Sequence, residues 1–255
     1  MNKILPSILL SLASGCAFAA TTMTDDLHPG LKYWWDFQQD TKPIDYTSGS
    51  PVTGSAWGED FALSSGTGYG TLGGSNHPYK ANPGLKANSF TLSFDIKDLS
   101  TADWKDLFSI HTDGGTGDTN KLCLEKASGN TLSLFPGNFG GTDITGNISC
   151  SYTPSDWTTF TITCTGSLLS LYKDGLLVGN INCTIGDEAI TGIQFGQDFG
   201  GGRPITSAKI DNVGLWNTAL TADQVKSLNG LVPEPTTVSL SLVGLAALML
   251  RRRRA

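Results

Sequence analysis

The chain has 255 residues, of which 39% are hydrophobic, and it carries 17 lysines and arginines against 23 aspartates and glutamates. Residues 20–231 retain 12 of these basic and 22 of these acidic residues, so the formal charge of this segment is near −10. A protein that binds nucleic acid needs a basic surface to neutralise the phosphates. The acidic charge of this segment therefore excludes nucleic acid as a partner.

The first 19 residues are predicted to be a secretory signal peptide. Lys3 precedes an apolar stretch at residues 8–12, and the small residues Ala17 and Ala19 mark a cleavage site. An alternative is lipoprotein processing, because residues 13–16 partly resemble a lipoprotein box that ends at Cys16. The leucine usual three residues before that cysteine is absent. Both alternatives predict export of the chain.

Apolar residues then alternate with polar ones in short segments, which is the pattern of half-buried strands. Residues 38–88 are rich in Gly, Ser, Pro and Asn, and they predict one or two weak strands. Thr221 and Gln224 form the sequence of a capping box, so a short helix is expected before Gly230. The clearest predicted strands are Leu31–Phe37, Phe90–Ile96, Leu107–Ile110, Ile148–Tyr152, Phe160–Cys164, Ile193–Phe195 and Ile210–Trp216.

The segment from Trp157 to Asn180 predicts a three-stranded meander. The dipeptide Asp174-Gly175 lies between apolar runs and suits a two-residue hairpin turn, in which both residues have positive φ. With Lys173 paired to Leu176, we expect Tyr172 opposite Leu177 and Leu171 opposite Val178. Apolar positions then fall on both faces of the sheet, so a second layer must cover it.

Three stretches resemble the laminin-G-like domains of the concanavalin A-like lectin/glucanase superfamily. They are SFTLSFDIK at residues 89–97, WTTFTITCTGSLLSLYKDGLLVGN at 157–180 and AKIDNVGLWNTALTADQVKSLN at 208–229. They occur in the order found in that family. The resemblance implies an all-β fold, a two-sheet antiparallel jelly-roll sandwich, over residues 20–231. It says little about activity.

Four cysteines remain after the signal peptide: Cys123, Cys150, Cys164 and Cys183. An even number in an exported chain predicts disulfides, and three pairings are possible. A zinc site is the alternative, but there is no C-x-x-C pair and no histidine neighbours these cysteines in the sequence.

Residues 232–255 are predicted to address the protein to a membrane. Pro233-Glu234-Pro235 precede an apolar run at 236–250 and four arginines, Arg251, Arg252, Arg253 and Arg254. A helix over 236–250 is about 22 Å long, shorter than the roughly 30 Å hydrocarbon core. The order resembles the PEP-CTERM sorting signal, which implies a Gram-negative cell envelope, surface or extracellular matrix. It also implies a transient membrane tether and cleavage by an exosortase. A permanent C-terminal anchor is the alternative.

No catalytic motif is evident. Glucan-cleaving relatives of this fold carry Glu-x-Asp-x-Glu on one strand, whereas Glu59, Glu125 and Glu188 are isolated here. The three histidines fall at predicted strand ends or in loops, which gives no nucleophilic triad. The chain is therefore expected not to be an enzyme. A polysaccharide hydrolase is the alternative, and two carboxylates roughly 5 to 9.5 Å apart in a groove would favour it.

Asp211 is the candidate metal ligand. It shares strand parity with Val213 and Leu215, so it is expected to point partly inward, where a carboxylate needs a partner. In related sandwiches an aspartate of this closing strand helps to bind a structural calcium. Acceptance of backbone N–H groups from residues 31–37 is the alternative.

The expected function is a non-catalytic recognition or structural module that binds an extracellular glycan or protein through its loops. Exposed aromatic residues would stack on sugar faces. The candidates are Trp57, Tyr69, Tyr79, Trp104 and Trp216, and the sequence does not distinguish among them. A purely structural matrix protein without a specific ligand is a further alternative.

Overall fold

A computed structural model describes residues 27, 29–35, 37, 44–45, 62–63, 68–74, 77–112, 121–141, 144–198 and 201–231. The predicted signal peptide at 1–19 and the predicted sorting segment at 232–255 lie outside the described residues. The sequence predicts one or two weak strands within residues 38–88. The described part of this segment contains four strands of two or three residues each. The neighbouring strands supply their hydrogen bonds, so these segments need no periodicity of their own.

The elements run in the following order along the chain. They are β1 (Leu31–Trp35), β2 (Ile44–Asp45), β3 (Ala62–Leu63), β4 (Gly70–Leu72), β5 (Tyr79–Ala81), β6 (Phe90–Ser100), β7 (Lys105–His111), β8 (Lys121–Ser128), β9 (Thr131–Phe135), β10 (Ile148–Ser151), β11 (Thr158–Cys164), β12 (Leu168–Lys173), β13 (Leu176–Asn182), β14 (Gly192–Phe195), β15 (Ser207–Trp216) and α1 (Ala222–Leu228).

These strands form two antiparallel sheets, which confirms the predicted all-β jelly-roll sandwich. The larger sheet, nine-stranded in the described part, has the order β13-β12-β11-β6-β15-β1-β2, with β4 also paired to β15 and β3 to β4. The smaller sheet, six-stranded there, has the order β10-β9-β8-β7-β14-β5. The connections β6–β7 and β10–β11 therefore cross between sheets.

The main core lies between the sheets because each strand turns one alternate set of side chains inward. The ring of Phe94 in β6 lies 5.7 Å from Phe108 and 5.7 Å from Phe195, both of the smaller sheet, in edge-to-face geometry. All three rings are fully buried. Such pairs add about 0.5–1.5 kcal/mol to the free energy of their burial.

The β12–β13 hairpin follows the prediction at its turn and departs from it one step later. Asp174 and Gly175 have φ of 50° and 76°, and Tyr172 lies opposite Leu177. Leu171, however, lies opposite Gly179 and not Val178, because a bulge between Leu171 and Tyr172 shifts the register. A bulge inserts one extra residue and reverses the side-chain alternation beyond it.

A second bulge, in β15, makes the predicted parity of Asp211 wrong. Asn212 has φ of 49°, and the pairing with β6 shifts between Asp211 and Gly214. Asp211 therefore pairs with Asp95 on the outer face of the larger sheet, while its neighbour Ile210 is fully buried in the main core.

Helix α1 covers a smaller apolar cluster on that outer face. The predicted capping box is confirmed, since Gln224 N donates to Thr221 Oγ1 and Thr221 N donates to Gln224 Oε1. Beneath the helix the ring of Trp216 meets Trp34 edge-on at 6.4 Å, and its Nε1 donates to Leu27 O at 2.7 Å. The helix thus fastens the N-terminal strand to the sandwich.

Candidate functional site

The turn between β6 and β7 presents Trp104 to solvent. Its side chain is 61% exposed, and its φ is 62°. The left-handed region costs a residue with a Cβ about 1–2 kcal/mol, and a bulky side chain is uncommon there. The backbone holds the residue in place, because Trp104 N donates to Lys126 O of β8 at 2.6 Å. The fold therefore retains an unfavourable conformation that directs an indole outward.

Two ion pairs lie on residues next to the Trp104 turn. Lys126 Nζ forms an ion pair with Asp103, the residue before Trp104. Arg203 Nη1 forms a second pair with Glu125 Oε2 at 3.2 Å. We call Asp103, Trp104, Glu125, Lys126 and Arg203 the Trp104 rim. Its two cations and two anions leave it with no net charge.

The loop after β14 delivers Arg203 to this rim. Ile205 N donates to Gly196 O at 2.8 Å, which closes the loop, and Asp106 N donates to Arg203 O at 3.0 Å, which joins it to β7. Arg203 itself has φ of 49°, so the rim contains two of the non-glycine residues with positive φ. Strain of this kind clusters at ligand-binding positions.

A cluster of buried polar side chains adjoins the rim and shares Glu125 with it. Among the described residues, Asp106, Cys123 and Glu125 are the one set of three metal-ligating side chains whose ligand atoms lie within 4.8 Å of one another. All three are buried, and Glu125 is paired with Arg203. Calcium takes six to eight oxygen ligands and structural zinc takes four N or S ligands, so this mixed set does not by itself furnish either sphere.

The same carboxylates bear on the hydrolase alternative. Asp106 and Glu125 are as close as the acidic pair of a retaining glycosidase, which lies about 5–5.5 Å apart. Their carboxylates are buried, with Asp106 fully so, and Glu125 bonds to a guanidinium. A sugar bond would have to reach both groups, and this burial argues against catalysis.

Hydrogen bonds within the protein occupy the outer face of the smaller sheet next to this cluster. His111 Nε2 lies 3.2 Å from Ser109 Oγ, and Ser109 Oγ donates to Gln197 O at 3.3 Å. Gln194 Nε2 donates to His77 O at 3.4 Å. His111 is the last residue of β7, which confirms the predicted strand-end position, and its side chain is fully buried.

The structure separates the five nominated aromatic residues. Trp216 is fully buried under α1, so its nomination is wrong. Tyr69 is half-buried, with Lys209 Nζ 5.0 Å from its ring centroid. Tyr79 is also half-buried, and burial raises the pKa of its hydroxyl, which donates to Thr191 O at 3.4 Å. Trp57 lies outside the described residues. Trp104 is the exposed one.

Asp211 lies away from the rim. Its Oδ1 accepts a hydrogen bond from Asn212 N at 2.8 Å, and the Asn212 amide donates to Asp95 Oδ2 at 2.8 Å. One asparagine thus bridges the two facing aspartates. Asp211 is not part of the described set of three ligating residues, and calcium binding at this position stays a prediction.

The four cysteines carry free thiols in the structure, so the predicted disulfides are not confirmed. Cys123 faces outward within the buried polar cluster, while Cys164 is part of the main core. Cys150 and Cys183 are partly buried and pack against that core. The separation of Cys123 from the others follows from strand alternation.

The membrane predictions fall largely outside the described residues. Within the described part of the chain, no helix is both long and apolar enough to cross a bilayer. Pro233-Glu234-Pro235, the apolar run and the four arginines have no described structure. The sorting signal, the exosortase and the Gram-negative envelope therefore stay predictions.

Sequence reasoning missed most of the rim. It named Trp104 among five aromatics and did not connect Lys126 or Arg203 to it. One available signal was that Arg203 is the single arginine between residues 20 and 231. Arginine is favoured where a planar cation must hold a buried carboxylate.

Solved structures resemble the fold at low identity. The binding domain of Paraclostridial Mosquitocidal Protein 1 is 16% identical with a TM-score of 0.55, over 78% of this chain and 51% of that one. Domain 4 of AbnA, a GH43 extracellular arabinanase from Geobacillus stearothermophilus in complex with arabinotriose, is 15% identical with a TM-score of 0.52, over 78% and 98%. A Trypanosoma rangeli sialidase in complex with sialic acid is 15% identical with a TM-score of 0.58, over 78% and 32%.

The chain spans about half the length of the mosquitocidal binding domain, and these likenesses concern the fold alone. A search of the curated proteins found no match. The family model Laminin_G_3, described as Concanavalin A-like lectin/glucanases superfamily, matches residues 64–226. Because this match covers more than half of the chain, the protein belongs to the Laminin_G_3 family of the concanavalin A-like lectin/glucanases superfamily.

Proposed function

We propose that this protein is an exported, non-catalytic recognition module that binds a glycan at the Trp104 rim. One observation carries the proposal. Trp104 is 61% exposed and has a positive φ, so it adds little to the core while it costs conformational energy. A residue retained under those two conditions is best explained by what it contacts outside the molecule.

The chemistry of the rim fits a sugar. Binding sites combine a large apolar or aromatic surface with a few placed polar groups. The indole offers a flat face to the C–H side of a pyranose or furanose ring. Arg203 has N–H groups to donate to hydroxyls, and its side chain is 39% exposed. Asp103 is also partly exposed and can accept hydrogen bonds from hydroxyls.

Charge narrows the class to an uncharged glycan. The two ion pairs cancel within the rim, and residues 20–231 carry a formal charge near −10. A strongly anionic polysaccharide would be repelled at long range by this surface. Of the similar structures, the arabinanase domain was solved with arabinotriose, which is neutral, and the sialidase with sialic acid, which is anionic, so the choice rests on the charge of this chain.

We propose a non-catalytic module because a glycosidic bond could not reach the carboxylates near the rim. The carboxylates of Asp106 and of the rim residue Glu125 lie close together, and both are buried. The arabinanase domain and the sialidase come from glycoside-cleaving enzymes, so hydrolysis is the second candidate function. We assign the site to binding, and the same assay tests both functions.

Export and tethering complete the proposal. Residues 1–19 and 232–255 have the sequence features of a signal peptide and of a PEP-CTERM sorting segment. Such a module would hold a neutral polysaccharide at the surface or in the extracellular matrix. An extracellular protein partner at the same rim is the alternative ligand.

The test uses the full chain on an array of neutral and acidic glycans, with and without calcium, followed by titration of each hit. Trp104→Ala is expected to weaken binding at least tenfold, and Trp104→Phe to recover part of it. Leu176→Ala is the matched control, because Leu176 is 62% exposed at the start of β13, and it should change affinity less than twofold.

Three outcomes would overturn parts of the proposal. Equal affinity of Trp104→Ala and the unchanged protein would remove the rim as the site. Absence of any glycan hit would favour a protein ligand. New reducing ends in the hit glycans, lost in Glu125→Gln, would favour the hydrolase.

A further inference from the structure

Cys164 and Cys183 lie at the same end of the larger sheet. Cys164 is the last residue of β11, where it pairs with Leu169 of β12, and Leu169 pairs in turn with Ile181 of β13. Cys183 follows β13 directly, and its N–H donates to Ser167 O at 3.0 Å. The chain after β13 therefore curls along the turn that leads from Cys164 into β12.

Both sulfur atoms meet the same residue of that turn, Gly166. The Cys183 thiol donates a weak hydrogen bond to Gly166 O at 4.0 Å. The pKa of Cys164 is raised to about 12, mainly by burial, with an opposing effect of a backbone hydrogen bond from Gly166 and a smaller raising effect of Cys183. Two thiols that share Gly166 as a contact residue, one at the end of β11 and one at the end of β13, are close neighbours.

The turn itself is held tightly, so this proximity is a property of the fold. Gly166 has φ of 81°, and a Cβ at this position would lie 3.1 Å from Asn88 Cβ. Ile185 N donates to Gly166 O at 2.8 Å, which fixes the chain just beyond Cys183. The two cysteines thus remain next to each other without a change of strand register.

The remaining cysteines do not form a comparable pair. In the smaller sheet Cys123 pairs with Phe135, and Cys150 pairs with Leu132. Leu132 and Phe135 lie an odd number of positions apart on β9, so the two cysteines point to opposite faces of that sheet. Cys123 points to the outer face of the smaller sheet, and Cys150 packs against the core between the two sheets.

We propose that Cys164 and Cys183 form a reversible disulfide that joins the end of β11 to the end of β13. None of the three complete pairings that the sequence allows is formed in full, because the geometry supports the Cys164–Cys183 bond and leaves Cys123 and Cys150 as thiols. The bond closes a loop over residues 165–182 and ties the exposed edge strand β13 to the interior strand β11.

The oxidant is a small disulfide, such as glutathione disulfide, which acts by thiol–disulfide exchange. Cys183 is the more exposed thiol, so its thiolate attacks the small disulfide, and one glutathione thiolate leaves. The Cys164 thiolate then attacks the Cys183 sulfur of the mixed disulfide, and the second glutathione thiolate leaves. The protein loses two protons and two electrons, and the glutathione disulfide gains both electrons.

The test uses the full chain, reduced and then incubated folded with glutathione disulfide, with free thiols alkylated afterwards in denaturant. Cleavage after lysine places Cys164 in peptide 127–173 and Cys183 in peptide 174–209, because Arg203 precedes a proline and is not cut. Cys150 also lies in peptide 127–173, so the experiment is repeated in a Cys150→Ser background. We expect these two peptides to appear joined, with a loss of two of the five alkylated thiols of the full chain, whose fifth cysteine is Cys16.

Cys183→Ser should abolish the joined peptides, whereas Cys123→Ser should leave them unchanged. Three results would overturn the proposal. The first is a joined pair that disappears in Cys150→Ser. The second is persistence of all five alkylated thiols, or of a mixed disulfide alone, after prolonged incubation. The third is cross-linking only in denaturant, since the proposal requires the folded geometry.

Discussion

The positive φ of Trp104 gives a stability prediction that is separate from binding. Replacing Trp104 by alanine removes the indole but keeps a Cβ in the left-handed region, which costs about 1–2 kcal/mol. Replacing it by glycine removes the indole and that cost, against about 0.5–1 kcal/mol of additional chain entropy for glycine. Both variants lose the same buried indole area. Trp104→Gly is therefore expected to be more stable than Trp104→Ala by about 0.5–1 kcal/mol.

The assay is urea unfolding of both variants, monitored through tryptophan fluorescence and far-UV circular dichroism. With a slope near 2 kcal/mol per M, the glycine variant should unfold at a midpoint about 0.25–0.5 M higher. Leu176 provides the control, because it is similarly exposed but is not among the residues with positive φ. There alanine should exceed glycine by about 0.5–1 kcal/mol.

The opposite order at position 104 would refute the reasoning, since it would mean that the turn does not impose a left-handed conformation. Equal loss of glycan binding in Trp104→Gly and Trp104→Ala is expected as well. A stable protein without ligand binding would show that the strained tryptophan serves recognition and not folding.

Three further predictions concern the core, the rim and the thiols. Gly214→Ala should destabilise the protein by about 2–4 kcal/mol, because a Cβ there would lie 2.4 Å from the Trp216 ring, and a loss below 0.5 kcal/mol in urea unfolding would contradict this packing. A double-mutant cycle of Glu125→Gln and Arg203→Met should give a coupling of about 1–2 kcal/mol, and a value below 0.3 would make the pair a surface contact. In reduced protein, burial raises the pKa of Cys164 from 9.0 to about 12, so the unfolded chain ionises first. The free energy of unfolding relative to Cys164→Ala should then fall between pH 9 and 12, by at most about 1.4 kcal/mol per pH unit, whereas a pH-independent difference would show an unshifted thiol.

Local patterns were sufficient for several elements of the fold. Alternation at Phe160–Cys164 and the dipeptide Asp174-Gly175 predicted a strand and a hairpin turn that the structure contains. The capping box at Thr221 predicted the start of the helix. Each of these depends on residues a few positions apart, whose conformational preferences act within one turn or one strand.

Predictions failed where a bulge interrupted the alternation. One bulge shifts the register after Leu171, and a second lies at Asn212, whose φ is positive. Each bulge inserts one residue and reverses the direction of the side chains that follow. Asp211 was placed on the wrong face for this reason. A bulge carries no period of its own, so its position depends on how the neighbouring strands pair.

The sequence by itself determined the sandwich, because two-residue periodicity and turn chemistry are properties of contiguous segments. Only the tertiary structure decided which groups meet. It joined the Trp104 backbone to Lys126, paired Arg203 with Glu125, buried Trp216, and brought Cys183 to the turn that follows Cys164. These neighbours come from separate strands and loops, and their contacts arise when two sheets pack and strand pairing sets their register.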